Sequence, residues 1–412
     1  MVKIRKSKKD SKGFSQENPL HPPVISGCLK TTESHGSGIL KDTGNTSLVS
    51  SPSCGQSRRE KLPLISEEIK ETGGVNLRFV PVITKTGKSL MPCHPARARK
   101  LLKKEGNAVR RFHAGIFHLC LLCREDGEVQ RVGVGIDPGS KREGFTVKSS
   151  KHTFENVLTD AVSHVKESVE TRKDMRRGRR FRKTPCRKNR ENRSRGGIPP
   201  STKARWQAKL RVVNILRKLY PVVAYAVEDI QASTKPDKRK WNSSFSPLEV
   251  GKKWFYSELE KLGELKIMQG WEVKELRDKF GLKKTKAKLD DCFSAHNVDS
   301  WILANSLVGG HVKPDNERIM RLIPLRFYRR QLHVFQPSEG NIRRNYGSTM
   351  SNGLKRGSLV DHEKHGVCYL GGFSEKTGLS LHNLNSGERL CRNAKEKDMV
   401  VLSYNYFRWY KA

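Results

Sequence analysis

The chain has 412 residues, which is long enough for two or three domains with hydrophobic cores. Lysine and arginine total 81 residues against 42 aspartates and glutamates, so the formal net charge is +39. A positive charge of this size opposes compact folding unless a polyanion neutralises it, and nucleic acid is the first candidate. A membrane partner is disfavoured, because no apolar run approaches the roughly 18 residues of a membrane span. The opening MVKIRKSKKD lacks the apolar segment of a secretory signal.

The N-terminal part divides into a tail and a small domain. Residues 1–74 are rich in Ser, Gly, Pro, Lys and Thr without periodicity, which predicts a disordered basic tail. Residues 75–128 predict a small domain with a strand at NLRFVPVI and a short helix at HPARARKLLKK. This helix is a candidate nucleic-acid-binding surface, with a solvated amphipathic helix as the alternative. Its candidate contacts are Arg97, Arg99 and Lys100.

The cysteines favour a reducing compartment. There are nine of them, scattered and mostly solitary, which is typical of free thiols in the cytosol. Cys120 and Cys123 form a single C-x-x-C, whereas a structural zinc site normally needs a second pair of ligands. A buried apolar strand is therefore the favoured interpretation of FHLCLLC, and a metal site is the alternative.

Three acidic motifs follow in order along the chain. An apolar strand, VGVGID, ends at Asp137, where Pro-Gly turns the chain into a second strand. A near-continuous apolar strand, PVVAYAVED, delivers Glu228 at its C-terminal end and suits the centre of a sheet. The segment SAHNVDSWILANSLV predicts a helix in which His296 and Asp299 share one face. Each acid taken singly is typical of a strand end or a helix surface, but the ordered combination favours one shared site.

An arginine-rich stretch separates the first two acidic motifs. Residues 172–195 contain thirteen Arg or Lys against two acids. Such a run is usually disordered in isolation, but guanidinium groups spaced along a helix can bind phosphate backbones bidentately. The candidate nucleic-acid-binding side chains are Arg172, Arg176, Arg177, Arg179, Arg180, Arg182, Lys183, Arg187, Lys188 and Arg190.

Residues 333–412 change character. Segments such as GLSLHNL and MVVLSYNYFRW alternate apolar and polar residues between Gly, Asn and Ser turns. This alternation predicts a small antiparallel β barrel or sheet. Aromatic side chains elsewhere could stack on single-stranded bases. Among these, core positions are favoured for Trp206, Trp254, Phe255 and Tyr256, and an exposed position for Trp241.

The acidic motifs together predict a two-metal nuclease centre. Phosphodiester cleavage with two magnesium ions needs carboxylates that hold the metals about 4 Å apart, and carboxylate oxygens suit Mg²⁺. We expect Asp137 to bridge both ions, with Glu228 and Asp299 completing their shells. His296 is expected to position or deprotonate the attacking water. Mn²⁺ is expected to substitute for Mg²⁺.

These motifs resemble the RuvC-type nucleases of the RNase H fold, in which the core is split into three segments. Residues 75–412 resemble the IscB/IsrB family of compact, transposon-encoded, RNA-guided proteins. SLMPCHPARARKLLKK is similar to the family's N-terminal P-L-M-P motif, with Ser89 in place of the usual Pro, and the arginine stretch resembles its bridge helix. IPPSTKARWQ is similar to the segment before the second RuvC motif, and GLKRGSLVDHEKHGVCYLGG resembles the C-terminal β domain.

The resemblance implies an α/β fold with an RNase H-like core, a small N-terminal PLMP-type domain, an arginine-rich bridge helix and a C-terminal antiparallel β domain. The β domain is implied to contact guide RNA and the target-adjacent DNA motif. The implied ranges are 75–128 for the N-terminal domain, 129–170, 201–260 and 261–332 for the three RuvC segments, 171–200 for the bridge helix and 333–412 for the β domain.

One departure indicates the branch of the family. IscB carries an HNH nuclease between the second and third RuvC motifs, but here only 67 residues separate Glu228 from His296 and none of them is a histidine. An HNH centre needs histidines, so the chain resembles IsrB, the branch without it. The resemblance implies an RNA-guided DNA endonuclease that opens duplex DNA and nicks the displaced non-target strand.

The implied partners are a structured guide RNA and a double-stranded DNA target, bound by a protein monomer within a ribonucleoprotein. The expected location is the prokaryotic cytoplasm, in association with the nucleoid. Two alternatives stay open at this stage. One is a catalytically silent RNA-guided DNA-binding protein, and the other is a structure-specific RuvC-like nuclease that acts without RNA.

Overall fold

The computed structural model describes residues 79–104, 106–181, 198–231, 246–325, 350–405 and 407–411. Within these ranges, no helix is long and apolar enough to cross a membrane. The expected tail, residues 1–74, lies outside them, and so does Trp241. The side chains of several arginine-stretch residues also lie outside the described part, namely Arg179, Arg180, Arg182, Lys183, Arg187, Lys188 and Arg190.

A small four-stranded sheet opens the described part of the chain. Its strands are β1 (Val80–Thr84), β2 (Ser89–Cys93), β3 (Ala108–His113) and β4 (Ile116–Leu121). They pair in the order β2-β1-β4-β3, and the helix α1 (Pro95–Lys103) packs on them through Ala98. His94 caps this helix by accepting a hydrogen bond from the backbone N–H of Ala96. The expected N-terminal domain therefore has a hydrophobic cluster of its own.

A seven-stranded sheet forms the centre of the fold. Its first strands in the chain are β5 (Val132–Asp137), β6 (Arg142–Ser149) and β7 (Thr153–Asp160). The later strands are β8 (Val222–Asp229), β9 (Glu264–Gln269), β10 (Ile319–Pro324) and a strand near the C-terminus, residues 407–411. β5, β6 and β7 are antiparallel, whereas β8 runs parallel to β5, and β9 runs parallel to β8. This mixed α/β sheet agrees with the expected RNase H-like core.

Helices cover both faces of the central sheet. They are α2 (His164–Phe181), α3 (Pro200–Leu219), α4 (Pro247–Glu260), α5 (Gly270–Lys279) and α6 (Phe293–Val308). On one face, α3 and α4 contribute Leu216 and Phe255 to the largest hydrophobic cluster. On the other face, Trp301 and Ile302 of α6 pack with Leu158. Each fully buried side chain of this size contributes roughly 1.5–3 kcal/mol, so the two clusters hold the helices to the sheet.

Glycines set the distance between α6 and the sheet. A Cβ atom added at Gly135 on β5 would lie 1.9 Å from the backbone oxygen of Ser300, and one at Gly144 on β6 would lie 2.8 Å from that of His296. A larger side chain at either glycine would therefore push the helix away from the strands. The small residues of VGVGID thus allow Asp299 on α6 to approach the strand that ends at Asp137.

The C-terminal part, for which the sequence predicts a small antiparallel β barrel or sheet, forms antiparallel sheets of its own. Its elements are β11 (Met350–Ser351), β12 (Leu354–Lys355), β13 (Leu359–His362), β14 (Gly366–Ser374), β15 (Gly378–His382), β16 (Arg389–Ala394) and β17 (Met399–Ser403). β11 and β12 form a two-stranded ribbon, and the other strands pair in the order β16-β15-β14-β13-β17.

The strand β18 (Phe407–Lys411) differs from the expected boundary of the β domain. It does not belong to the five-stranded sheet. Instead it pairs antiparallel with β10, at the edge of the central sheet. Within the described residues, the range 333–412 therefore combines the β domain with one strand of the central sheet. The indole N–H of Trp409 also donates a hydrogen bond of 2.9 Å to the carbonyl oxygen of Gly115, at the turn between β3 and β4.

Candidate metal centre

Three carboxylates converge at one edge of the central sheet. Asp137 ends β5, Glu228 lies at the C-terminal end of β8, and Asp299 projects from α6. One ligand oxygen from each lies within 4.8 Å of the other two. β5 and β8 are parallel neighbours, so their carboxyl ends meet at the same edge. The structure thus brings together the three acids that the sequence singled out.

Burial and mutual repulsion shape the protonation of this triad. Asp137 and Asp299 are only 6% and 2% exposed. Burial, followed by the charges of Asp137 and Asp299, raises the pKa of Glu228 to about 8. Burial would also raise the pKa of Asp137, but the hydrogen bond from His296 and the charge of Lys284 outweigh it, so this pKa falls below its ordinary value. Three carboxylates held this closely are a site that favours a cation.

Two basic residues that the sequence analysis did not identify neutralise part of this charge. The Nη1 atom of Arg277, on α5, lies 2.7 Å from Oδ1 of Asp299. The ammonium of Lys284 contacts Oδ2 of Asp299 and lies 4.0 Å from Oδ2 of Asp137. Burial would lower the pKa of Lys284, but these carboxylates raise it above its ordinary value. The run GLKKTKAK before α6 was the only signal, and it does not say which lysine turns inward.

His296 contacts the triad directly. Its Nδ1 atom lies 2.8 Å from Oδ2 of Asp137, and its Nε2 atom lies 3.2 Å from the carbonyl oxygen of Lys288. Both ring nitrogens therefore face hydrogen-bond acceptors, and the imidazole orients the Asp137 carboxylate. The expected role of His296 in positioning or deprotonating water stays a prediction. To accept a proton from water, one ring nitrogen would first have to break its contact with Asp137 or with the carbonyl oxygen of Lys288.

Ion pairs fix two strands beside the triad, β6 and β8. Lys209 on α3 places its Nζ atom 2.6 Å from Oε1 of Glu143, and both side chains are almost fully buried. Burial, more than the charge of Asp137, raises the pKa of Glu143, and Lys209 opposes this rise. Next to Glu228, the Nζ atom of Lys252 lies 2.8 Å from Oδ1 of Asp229. These pairs anchor the beginning of β6 and the end of β8 to the helices α3 and α4.

A further network holds the segment before α6. Oδ1 of Asp291 lies 2.6 Å from Nη1 of Arg142 and 3.0 Å from Nε of Arg321. The hydroxyl of Tyr410, on β18, donates a hydrogen bond of 2.8 Å to Oδ2 of the same carboxylate. The loop that carries Lys284 and Lys288 is therefore tied to β6, β10 and β18 at one aspartate.

The donor set of the triad fits a hard divalent cation. All three groups offer carboxylate oxygens, which Mg²⁺ and Mn²⁺ prefer. Among the residues that the structure describes, it is the one group of three or more candidate ligands close enough to hold a metal. Cys120 is buried in β4 and Cys123 is exposed beyond it, in keeping with the apolar-strand interpretation of FHLCLLC.

The described candidates for nucleic-acid contact are exposed. Arg97, Arg99 and Lys100 lie on the outer side of α1, and Arg172, Arg176 and Arg177 lie on α2. The backbone of Arg179 and Arg180 belongs to α2 as well. Among the aromatic candidates, Trp206, Phe255 and Tyr256 are in the core, as expected, and Trp254 is partly buried against it.

Comparison with known proteins gives three similarities. Residues 80–243, less than half of the chain, match the family model described as RRXRR protein. T. thermophilus RuvC in complex with a Holliday junction substrate is 14% identical, with 44% of this chain and 98% of that chain covered at a TM-score of 0.24. A second Thermus thermophilus RuvC structure is 16% identical, with 42% and 90% covered at 0.21. No curated protein matches the sequence. What the chain does is therefore inferred from its own residues.

Proposed function

We propose that the chain is a Mg²⁺-dependent DNA endonuclease of the RuvC type, which nicks the non-target strand under the direction of a bound guide RNA. The observation that carries the proposal is the convergence of Asp137, Glu228 and Asp299 at one sheet edge. Among the described residues this is one acidic centre, which supports a nick rather than a double-strand break. Two divalent ions, once bound, would supply the attacking hydroxide and stabilise the leaving oxygen.

The chain's own residues have separate tasks in this reaction. Asp137, Glu228 and Asp299 would hold the ions through their carboxylate oxygens. His296 keeps the Asp137 carboxylate in position through the 2.8 Å contact. Arg277 orients the Asp299 carboxylate through the 2.7 Å contact. Because these supports are side chains on the rigid helices α5 and α6, the site is organised before the substrate arrives.

Charge supports a nucleic-acid guide and target. The net charge of +39 and the exposed arginines of α2 suit two phosphate backbones, while base pairing reads the sequence. Exchange of a DNA duplex for an RNA–DNA hybrid is nearly balanced, so such backbone contacts can tip it. The absence of histidine between Glu228 and His296 supports the IsrB branch, and with it a monomeric, transposon-associated ribonucleoprotein in the prokaryotic cytoplasm.

The test begins with the RNA that co-purifies when the protein is expressed with its own flanking DNA. We expect one defined, structured non-coding RNA, and the resulting particle should nick a matched supercoiled plasmid with Mg²⁺ or Mn²⁺ but not with a chelator. Asp137→Ala should abolish nicking while RNA and DNA binding persist. Loss of binding together with nicking would mean that Asp137 is structural.

The same assay separates the alternatives. Nicking that survives removal of the RNA would point to a structure-specific nuclease that works without a guide. RNA-dependent binding of the matched plasmid without Mg²⁺-dependent nicking would point to a catalytically silent DNA-binding protein. Heterogeneous cellular RNA in the particle would overturn the guided proposal.

A further inference from the structure

Trp271 directly follows a glycine that lies beside the acidic triad. β9 runs beside β8 with Met268 opposite Glu228, and the chain enters α5 two residues later, at Gly270. A Cβ atom added at Gly270 would lie 2.9 Å from Oε1 of Glu228. Trp271 is thus the residue directly after a glycine whose Cβ position would lie against a candidate metal ligand.

The exposure of Trp271 is unlike that of the other described tryptophans. Its side chain is 67% exposed, whereas Trp206, Trp301 and Trp409 are between 0% and 7% exposed and Trp254 is partly buried against the core. Tryptophan is highly buried on average, because its large ring gains more than most side chains by leaving water. α5 packs on the protein through Val273 instead. Core packing therefore does not account for the ring of Trp271.

We propose that Trp271 is a stacking platform for an unpaired nucleobase of the cleaved DNA strand, adjacent to the scissile phosphate. This inference rests on the proposed function, because it needs a DNA strand at the triad. A duplex keeps its base faces covered by neighbouring pairs, whereas a displaced single strand offers them to an aromatic ring. Stacking on tryptophan tolerates any base, which suits a nuclease whose sequence reading is done by its RNA.

Polar groups beside the triad suit the same occupant. The amide of Gln231 donates a hydrogen bond of 2.9 Å to Oε1 of Gln269, and Gln269 Nε2 donates one of 3.1 Å to Oδ2 of Asp229. Gln231 is exposed and follows Glu228 by three residues. Amide groups of this kind can hydrogen-bond either a base edge or a phosphate oxygen. The base would thus be held between an aromatic face and amides, and the sugar–phosphate backbone of the DNA strand would run towards the carboxylates.

The experiment uses single-stranded DNA oligonucleotides with 2-aminopurine at successive positions, bound to the complete protein–RNA particle in Ca²⁺. Stacking on an indole quenches this fluorescent base, so the wild-type protein should quench it at one or two positions beside the cut mapped in Mg²⁺. Trp271→Ala should remove that quenching, and Trp271→Phe should retain part of it. In nicking assays, Trp271→Ala should raise KM about ten- to hundredfold, with a smaller change in kcat.

Val312→Ala is the control, since Val312 is a large apolar residue that is 63% exposed in the loop after α6. It should leave both the quenching and KM unchanged. An unchanged quenching profile in Trp271→Ala, with wild-type nicking intact, overturns the inference alone. Quenching seen only with labelled RNA would assign the ring to the guide and also overturn it. Failure of the wild-type protein to nick at all would overturn the proposed function instead.

Discussion

The imidazole of His296 and the carboxylate of Asp137 are joined by a contact of 2.8 Å between Nδ1 and Oδ2. The other ring nitrogen of His296 is engaged by a backbone carbonyl oxygen 3.2 Å away. An imidazole held at both ends is a rigid support for the Asp137 carboxylate, which would hold a metal ion. Orientation of Asp137 is therefore the role of His296 that the geometry supports most directly.

His296→Ala should reduce the nicking rate about 10- to 100-fold, the usual cost of losing a group that orients a metal ligand. His296→Gln should retain more activity, because its amide can still donate to Asp137. The measurement is the single-turnover nicking rate across pH. A positioning role leaves the pH dependence of the variants parallel to that of the wild type. A rate that no longer responds to pH would instead identify His296 as the general base.

Glu228→Gln should abolish nicking and stabilise the metal-free protein by about 0.5–2 kcal/mol. The pKa of Glu228 is raised to about 8, so its neutral form is favoured in the folded state. The stability contributed by that proton is complete below the unfolded pKa, near 4.5, and is lost as pH rises through about 8. The gain from glutamine should therefore be larger at pH 8 than at pH 5 in thermal unfolding. If glutamine raised the melting temperature by the same amount at both pH values, this account would be contradicted.

Lys209→Met should destabilise the fold by about 3–5 kcal/mol, because it leaves the buried carboxylate of Glu143 without its partner. The double variant Lys209→Met, Glu143→Gln should lose much less, since neither charge is then buried alone. Methionine also keeps the apolar contact with the ring of Trp206, which lies 4.7 Å from Lys209 Nζ. Denaturant unfolding of the two single variants and the double variant measures the coupling. Additive losses would show that the pair is not coupled.

Gly270→Ala should slow nicking about 10- to 100-fold, since small displacements of catalytic groups have effects of this order. The added methyl group would meet Oε1 of Glu228 at 2.9 Å and shift this candidate metal ligand. The helix itself should not weaken, because alanine is the better helix former. The half-saturating Mg²⁺ concentration should rise. Gly127→Ala is the control, because its Cβ would have only ordinary contacts at 3.6 and 3.8 Å.

The sequence allowed prediction of the two strands and the helix that carry the triad, because their apolar patterns are strong and each acid comes at a fixed place in its element. Arg277 and Lys284 could not be foreseen in the same way. Basic residues abound in this chain, and only tertiary packing turns these two towards Asp299. The role of Gly135 was equally hidden, since a small residue in a strand does not reveal which helix will lie against it.

The sheet to which β18 belongs also differed from the prediction. An alternating apolar pattern looks the same in a strand of a separate β domain and in a strand at the edge of the central sheet. The pairing of β18 with β10 makes the five-stranded β domain an insertion between two strands of the central sheet. The ribosome therefore completes the whole β domain before it delivers the strand that closes this edge. Tyr410 reaches Asp291 only at that moment, so the loop beside the acids receives its last anchor after the rest of the site has been synthesised.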